Sequence, residues 1–120
     1  MFSRVDSGRE AEDFVARWLE ERGFVIEGRN LRLGPLELDI VAREGRVIVV
    51  VEVRRRGPSS FTTPLSSVNG LKRRNVRFAG ERLWNRRYKN DGSVDRMRFD
   101  LASVRELNGA FTLEYIRAAF

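Results

Sequence analysis

The segment from Glu37 to Arg56, ELDIVAREGRVIVVVEVRRR, places three carboxylates inside two apolar strands. Residues 36–43 and 46–54 are each predicted to form a strand, and Glu44-Gly45 between them indicates a hairpin turn. Val47 to Val53 is almost continuously apolar, which is typical of a strand covered on both faces. Carboxylates are depleted in strands and are costly to bury unless something pairs with them. The acids of this segment are therefore the first candidates for a functional site.

The composition limits what chemistry such a site can use. The chain has 120 residues, which fits a single domain spanning residues 1–120, and it is 42% apolar and 33% charged, as expected of a globular protein. It has no Cys and no His, which excludes zinc fingers, Cys nucleophiles and His general bases. A metal site would need oxygen ligands, which favours Mg²⁺ or Mn²⁺. With no apolar run near 20 residues and a polar N-terminus, we expect a cytoplasmic protein with no membrane partner.

The charge balance indicates an anionic partner. The chain carries 23 basic and 17 acidic residues, for a net charge of +6, and only Lys72 and Lys89 of the basic residues are lysine. Nucleic acid is the commonest partner of a small basic domain, although a basic surface without a partner is also consistent with this charge.

Periodicity outside the hairpin predicts a mixed sheet with helices packed on it, in the order α-β-β-β-α-β-β. The remaining predicted elements are a helix from about Ser7 to Arg22 with a Ser7–Glu10 capping box and a stop at Gly23, a strand at Phe24–Ile26 followed by a bend at 28–30, a polar loop from Gly57 to about Pro64, a helix from about Ser66 into the eighties, a strand around 97–101, and a last strand from Phe111 to Phe120.

Strand alternation predicts that the acids of the hairpin cluster. With the turn at the hairpin signal, Glu37 faces Glu52 and Asp39 faces Val50, so that Asp39 and Glu52 are diagonal neighbours and share a side with Arg54. Two carboxylates ~7 Å apart repel by roughly 2 kcal/mol at an effective dielectric of ~20, and a divalent cation reverses that sign. The alternative is that these acids face solvent and pair with the many arginines.

Two further side chains have open assignments. Glu10 stands at the third position of the capping box, so it either caps its helix or lies near the sheet. Lys72 flanks the apolar stripe of the second helix. It either reaches over the acids, contacts a phosphate, or extends into solvent.

Several motifs in order resemble one known family. The motifs are GREAEDFVARWLEERGFVIEGRNLR (8–32), GPLELDIVA (34–42), VEVRRR (51–56), SVNGLKRR (67–74) and RFDL (98–101). They resemble the small bacterial YraN family, which is similar to archaeal Holliday junction resolvases and belongs to the PD-(D/E)xK superfamily. The resemblance covers nearly the whole chain and implies a restriction-endonuclease-like fold.

The resemblance also implies roles for individual residues. The implied site consists of Asp39 as metal-binding aspartate, Glu52 as the second acid, the Val53 backbone carbonyl as a further ligand, Glu10 as the helix glutamate near the metal, Glu37 as the acid of a GEID-like motif, and Lys72 as a basic position of the second helix. The motif departs from the superfamily at Arg54, where lysine is usual. Arginine keeps the charge but does not readily release a proton. Either the swap preserves an electrostatic role, or the site has lost cleavage and kept binding.

These features lead to an expected function. The first expectation is a Mg²⁺- or Mn²⁺-dependent endonuclease on DNA, with branched or junction DNA as one substrate class, in which metal-activated water attacks a phosphodiester and Arg54 stabilises developing charge. The resemblance also implies a homodimer. The alternatives are a catalytically impaired nucleic-acid-binding protein with a nuclease fold, and an interaction domain for an acidic protein. Phosphates would be neutralised by Arg55, Arg56, Lys72, Arg73, Arg74 and Arg77.

Overall fold

A five-stranded mixed sheet, with one long helix on each face, forms the centre of the molecule. The computed structural model describes residues 4–57 and 63–120. The strands lie in the order β1-β2-β3-β4-β5; β3 and β4 are parallel and the other neighbours antiparallel. The predicted mixed α/β sheet flanked by helices is confirmed. The elements are α1 (Arg4–Glu21), β1 (Val25–Leu33), β2 (Leu36–Glu44), β3 (Val47–Arg56), a 3₁₀ turn (Leu65–Ser67), α2 (Gly70–Leu83), a π-helix (Trp84–Tyr88), β4 (Arg96–Leu107) and β5 (Ala110–Ile116).

Two hydrophobic clusters hold the helices to the sheet. Alternation along β3 sends Val49 and Val51 into the cluster under α1, and Ile48 and Val50 into the cluster under α2. Both faces of β3 are therefore covered, as its apolar run predicts. No helix in the described part of the chain is long and apolar enough to cross a membrane.

The N-terminal helix begins earlier than the capping box predicts. Because α1 starts at Arg4, Ser7 lies inside it. A residue with helical backbone does not take the extended conformation of an N-cap, so the capping-box prediction is wrong. The predicted stop at Gly23 is confirmed, since Gly23 has φ +88° and the N–H of Phe24 bonds to the Leu19 carbonyl at 3.0 Å.

The first strand is longer than its sequence indicates. The bend predicted at residues 28–30 is instead a β-bulge, because the register of β1 against β2 shifts between Ile26 and Gly28 and the strand continues to Leu33. Asn30 takes a positive φ of 50° within the strand. A bulge accommodates turn-type residues without ending the ladder, which is why the sequence signal was misleading.

The hairpin turn lies one residue later than predicted. Its two turn residues are Gly45 and Arg46, and the ladder runs from the pair Glu44–Val47 to the pair Ile40–Val51. Gly45 has φ +61°, the left-handed conformation that two-residue hairpin turns require and that glycine adopts without strain. The register is therefore displaced by two residues from the prediction.

The second helix is shorter than predicted and carries an extension of a different kind. Asn69 caps α2, because its side chain accepts the backbone N–H of Lys72 at 2.9 Å. The predicted helix start at Ser66 falls in the separate 3₁₀ turn. Of the loop predicted from Gly57 to Pro64, residues 58–62 lie outside the described residues.

The chain ends in a turn and not in a strand that reaches Phe120. β5 stops at Ile116, and Ala118, with φ +50°, donates its backbone N–H to Asp100 Oδ1 at 2.9 Å. Asp100 is fully buried and also accepts the Tyr115 hydroxyl at 2.6 Å. This carboxylate draws the backbone out of the strand, which the alternating sequence pattern did not reveal.

Candidate functional site

Asp39 and Glu52 lie where the regular ladder between β2 and β3 stops. The last backbone pair is Ile40 with Val51, and continuing that register by one residue brings Asp39 opposite Glu52. The backbone N–H of Val53 is donated to Asp39 Oδ2 at 2.9 Å. A side chain thus replaces the next ladder bond. We call Asp39, Glu52 and Val53 the strand fork.

The side-chain alternation of β2 is interrupted at the same place. Ile40 packs in the cluster under α1, whereas Leu38, two residues away, packs in the cluster under α2. A regular strand would send both to one face. Asn30, with its positive φ, is absent from the β1–β2 pairs at the position facing Asp39. Because of this irregularity, Asp39 has no regular backbone pair in either β1 or β3.

Glu52 is a buried acid with one oxygen unsatisfied. Its side chain is 3% exposed, and Oε2 has no hydrogen-bond partner within the described structure. Oε1 lies 3.3 Å from Lys72 Nζ of α2. Burial, and then the charge of Asp39, raise the pKa of Glu52 to about 8, while Lys72 acts in the opposite direction. Of the three placements considered for Lys72, the structure shows the one in which it reaches the acids.

The side chains of Asp39 and Glu52 lie on different faces of the sheet. Asp39 lines a cavity of about 390 Å³ against α1, whereas Glu52 is contacted from α2. Glu37 belongs to the α1 side, where its charge acts on Glu12. The prediction that Glu37, Asp39, Glu52 and Arg54 share one side is therefore wrong, because it assumed unbroken alternation in β2. Asp39 and Glu52 nevertheless come close enough for the charge of Asp39 to raise the pKa of Glu52.

The helix glutamate beside Asp39 is Glu12. The cavity next to Asp39 is lined by Glu12, and Glu10 is not among its lining residues. Burial and the charge of Asp39 raise the pKa of Glu12. With its amide nitrogen turned toward the acids, Asn30 lies 3.1 Å from Glu12 Oε1 and 3.0 Å from Glu37 Oε1. The sequence analysis missed Glu12 because the capping-box pattern directed attention to Glu10, and nothing in the sequence marks Asn30.

The structure places Arg54 outside the ion pair at the strand fork. Arg54 is exposed, and no ion pair or hydrogen bond joins it to another residue in the described ranges. The cation in contact with the acid pair is Lys72, which comes from a different element.

The acid pair suits a divalent ion that keeps most of its own water. Within residues 4–57 and 63–120, no three acidic side chains converge into a ready-made metal site. Mg²⁺, however, is commonly held by one or two carboxylates, with water and substrate phosphate as its other ligands. The buried Glu52 Oε2 without a partner, beside Asp39, is the feature that fits such an ion.

The predicted phosphate-binding arginines are of two kinds. Arg55 pairs with Glu106, and Arg56 lies 3.5 Å from Glu114, so both already have acidic partners. Within the described part of the chain the arginines of α2 have no acidic partner: Arg73 donates to backbone carbonyls, and Arg74 and Arg77 are exposed.

The whole net charge of the protein resides in one helical segment. Residues 70–88, which form α2 and the π-helix, contain seven basic residues and one acid, Glu81, for a net charge of +6. The other 101 residues carry 16 basic and 16 acidic side chains and are neutral. Among the described residues, Lys72 is the one cation of this segment that forms an ion pair. The cationic surface is defined as Arg73, Arg74, Arg77, Arg82, Arg86 and Arg87.

This charge separation was readable from the sequence, and the sequence analysis missed it. Elsewhere arginines and acids neutralise one another across elements, as in Arg98 with Glu44 at 3.1 Å and Arg117 with Glu44 at 2.8 Å. The segment 70–88 therefore forms a concentrated positive field beside the strand fork, with Lys72 as the link between them.

Comparison with known proteins shows the family. The UPF0102 protein of Sorangium cellulosum is 49% identical over 114 residues, covering 94% of this chain and 79% of that protein. The relative from Desulforapulum autotrophicum is 42% identical, and the match covers 94% of this chain and 91% of that protein. The relative from Bacteroides thetaiotaomicron is 37% identical, and the match covers 100% of this chain and 96% of that protein. The model of the "Uncharacterised protein family UPF0102" matches residues 11–104. The chain therefore belongs to the UPF0102, or YraN, family, as its sequence motifs predicted.

Proposed function

We propose that this protein is a Mg²⁺- or Mn²⁺-dependent endonuclease that acts on DNA, with branched or junction DNA as a substrate class. The observation that supports it most directly is the strand fork, where two carboxyl groups meet and one buried carboxylate oxygen lacks a partner. The proposal includes a restriction-endonuclease-like fold, a homodimer and a cytoplasmic location, which rest on the resemblance and on composition.

The residues at the strand fork would have different roles in cleavage. Asp39 and Glu52 would hold the cation, and the Val53 backbone carbonyl and Glu12, which line the same cavity as Asp39, are further candidate oxygen donors. When bound, a divalent cation supplies Lewis-acid stabilisation of a phosphate and makes water more acidic. Lys72 forms an ion pair with Glu52, and its positive charge would stabilise negative charge on a phosphate bound beside the strand fork.

The cationic surface accounts for the choice of a nucleic-acid substrate. A field of +6 confined to 19 residues attracts a polyanion without reading its sequence. Because Arg74 and Arg77 are exposed and have no acidic partner among the described residues, a phosphate does not have to displace one.

A specific observation favours a second function, that of a nucleic-acid-binding protein without cleavage. Arg54 stands where the motif has lysine, and among the described residues it forms no ion pair with Asp39 or Glu52. Binding would then persist through the cationic surface, and the two acids of the strand fork would contribute nothing to it, since carboxylates repel phosphates.

The test is a cleavage assay with metal and substrate varied together. Labelled four-way junction, linear duplex and single strand are incubated with Mg²⁺, Mn²⁺ or chelator. We expect metal-dependent products that disappear in Asp39→Asn. They should persist in the control Glu20→Gln, because Glu20 is an exposed acid near the C-terminal end of α1. Intact binding without product under any metal would refute the nuclease and support the second function. A large gain of cleavage in Arg54→Lys would show that arginine limits the reaction.

A further inference from the structure

A groove between α2 and β4 lies along the cationic surface, away from the strand fork. It has a volume of about 280 Å³ and is lined by Arg77, Glu81, Trp84, Met97 and Phe99. The three apolar side chains are half-buried and pack against the α2 cluster, so each has an exposed part. The groove is slightly smaller than the roughly 300–1,000 Å³ of typical small-molecule sites, which suits one flat ring system.

Glycine at position 80 lets two side chains of the groove, Phe99 and Met97, pack closely against α2. A Cβ on Gly80 would lie 2.5 Å from the Phe99 ring and 3.2 Å from the Met97 sulfur. The absence of a side chain lets the aromatic ring lie directly against the helix. Arg77 completes this arrangement, with its guanidinium carbon 5.7 Å from the centre of the Phe99 ring. Aromatic rings and a guanidinium plane are the surfaces on which unpaired bases stack.

Glu81 gives the groove a hydrogen-bond acceptor. It is the single acid among seven cations in residues 70–88, and it is exposed. Within the described ranges it forms no ion pair, although its neighbours in the helix are arginines. A carboxylate accepts N–H donors, such as the exocyclic amino group of cytosine. Thymine presents no amino group.

We propose that this groove binds one unpaired nucleobase of a DNA strand that lies along α2, with preference for a base that carries an amino group. The inference rests on the nucleic-acid partner of the proposed function and not on cleavage. A strand is the occupant, in place of a free nucleotide, because the groove lies within the cationic surface and several phosphates are needed to use that charge. From Lys72 to Glu81 the helix rises about 13.5 Å, so one strand can contact the fork and the groove together.

The experiment measures binding in chelator, so that no cleavage takes place. The DNA ligands are a perfect duplex and three duplexes that each contain one unpaired cytosine, one unpaired thymine or one abasic position. Deoxycytidine monophosphate tests whether a free nucleotide binds without a strand. Since stacking of one base is commonly worth 5- to 100-fold in affinity, we expect cytosine to bind about 10-fold more tightly than the abasic position, with thymine between them. The mononucleotide should bind weakly.

The two tryptophans supply a direct reporter. Trp18 stacks on Tyr115 with ring centres 4.8 Å apart, in the α1 cluster, so Trp18→Phe leaves Trp84 as the one tryptophan. Fluorescence of Trp84 in this variant should be quenched by the unpaired cytosine and not by the abasic strand. Removal of Glu81 in Glu81→Ala should abolish the preference for cytosine over thymine, whereas the exposed α1 control Glu20→Ala should keep it.

Two failures are distinguishable. Equal affinity for the cytosine and abasic strands, with strong salt dependence and no change in Trp84 fluorescence, would overturn the base site and leave the proposed nucleic-acid partner intact. Absence of binding to every strand at low salt would overturn both. Tight binding of the mononucleotide alone would overturn the assignment of a strand as occupant.

Discussion

Replacing Glu52 by glutamine should stabilise the metal-free protein at alkaline pH. Glu52 has its folded-state pKa raised to about 8, mainly by burial and then by the charge of Asp39. Below about pH 4.5 both the folded and the unfolded state carry the proton, and the group does not affect the free energy of unfolding. Between about pH 4.5 and 8 the unfolded state ionises first, so the folded protein loses stability as pH rises.

The size of this loss follows from the two pKa values. At about 1.4 kcal/mol for each pH unit, the rise from 4.5 to about 8 corresponds to a destabilisation on the order of 3–5 kcal/mol above pH 8. Glutamine has nearly the same shape as the protonated acid and does not ionise. The variant should therefore gain on the order of 3–5 kcal/mol relative to the wild type between pH 5 and pH 9.

Urea unfolding in chelator at pH 5, 7 and 9, followed by circular dichroism, measures this difference, with the exposed Glu20→Gln as control. Parallel plots of unfolding free energy against pH for wild type and Glu52→Gln would refute the reasoning. Addition of Mn²⁺ at pH 9 should stabilise the wild type and not the variant, because a cation that binds only the folded state adds its binding free energy.

Two further substitutions test the ion pair of Lys72 with Glu52 and the packing of Phe99 against Gly80. Lys72→Met removes the cation that lowers the pKa of Glu52, so the carboxyl titration of Glu52, followed by ¹³C NMR, should move to higher pH; an unchanged midpoint would show that the ion pair does not form in solution. Gly80→Ala places a Cβ 2.5 Å from the Phe99 ring and should cost about 1–3 kcal/mol in urea unfolding. Gly92→Ala, with open space around its Cβ, should cost less, and equal losses would contradict the crowding.

The position of Glu12 shows where prediction from sequence stopped. Glu10 and Glu12 are two residues apart on α1, about 200° around the helix, so the choice between them depends on how the helix is rotated on the sheet. The burial of Ala11 and Val15 determines that rotation, and it turns Glu12 toward Asp39. A capping pattern describes only the local chain, and here even its helix start was wrong.

The relation of Asp39 to Glu52 shows a similar division. Acids inside apolar strands were sufficient to select both residues, because burying a carboxylate without a partner is costly. Their juxtaposition depends on features that pattern rules do not contain: a turn displaced by one residue and an interruption of alternation at Asp39.

By itself, the sequence determined the family, the mixed α/β class, the two acids of the strand fork and the concentration of charge in residues 70–88, because these follow from residue identity and local period. Only the tertiary structure decided that Lys72 and not Arg54 forms the ion pair with Glu52 seen among the described residues, that Glu12 and not Glu10 lines the cavity beside Asp39, and that the two carboxyl groups approach from opposite faces. The physical reason is that such contacts depend on helix rotation and on which backbone groups a side chain satisfies. Both are settled by packing and hydrogen bonding across the whole molecule.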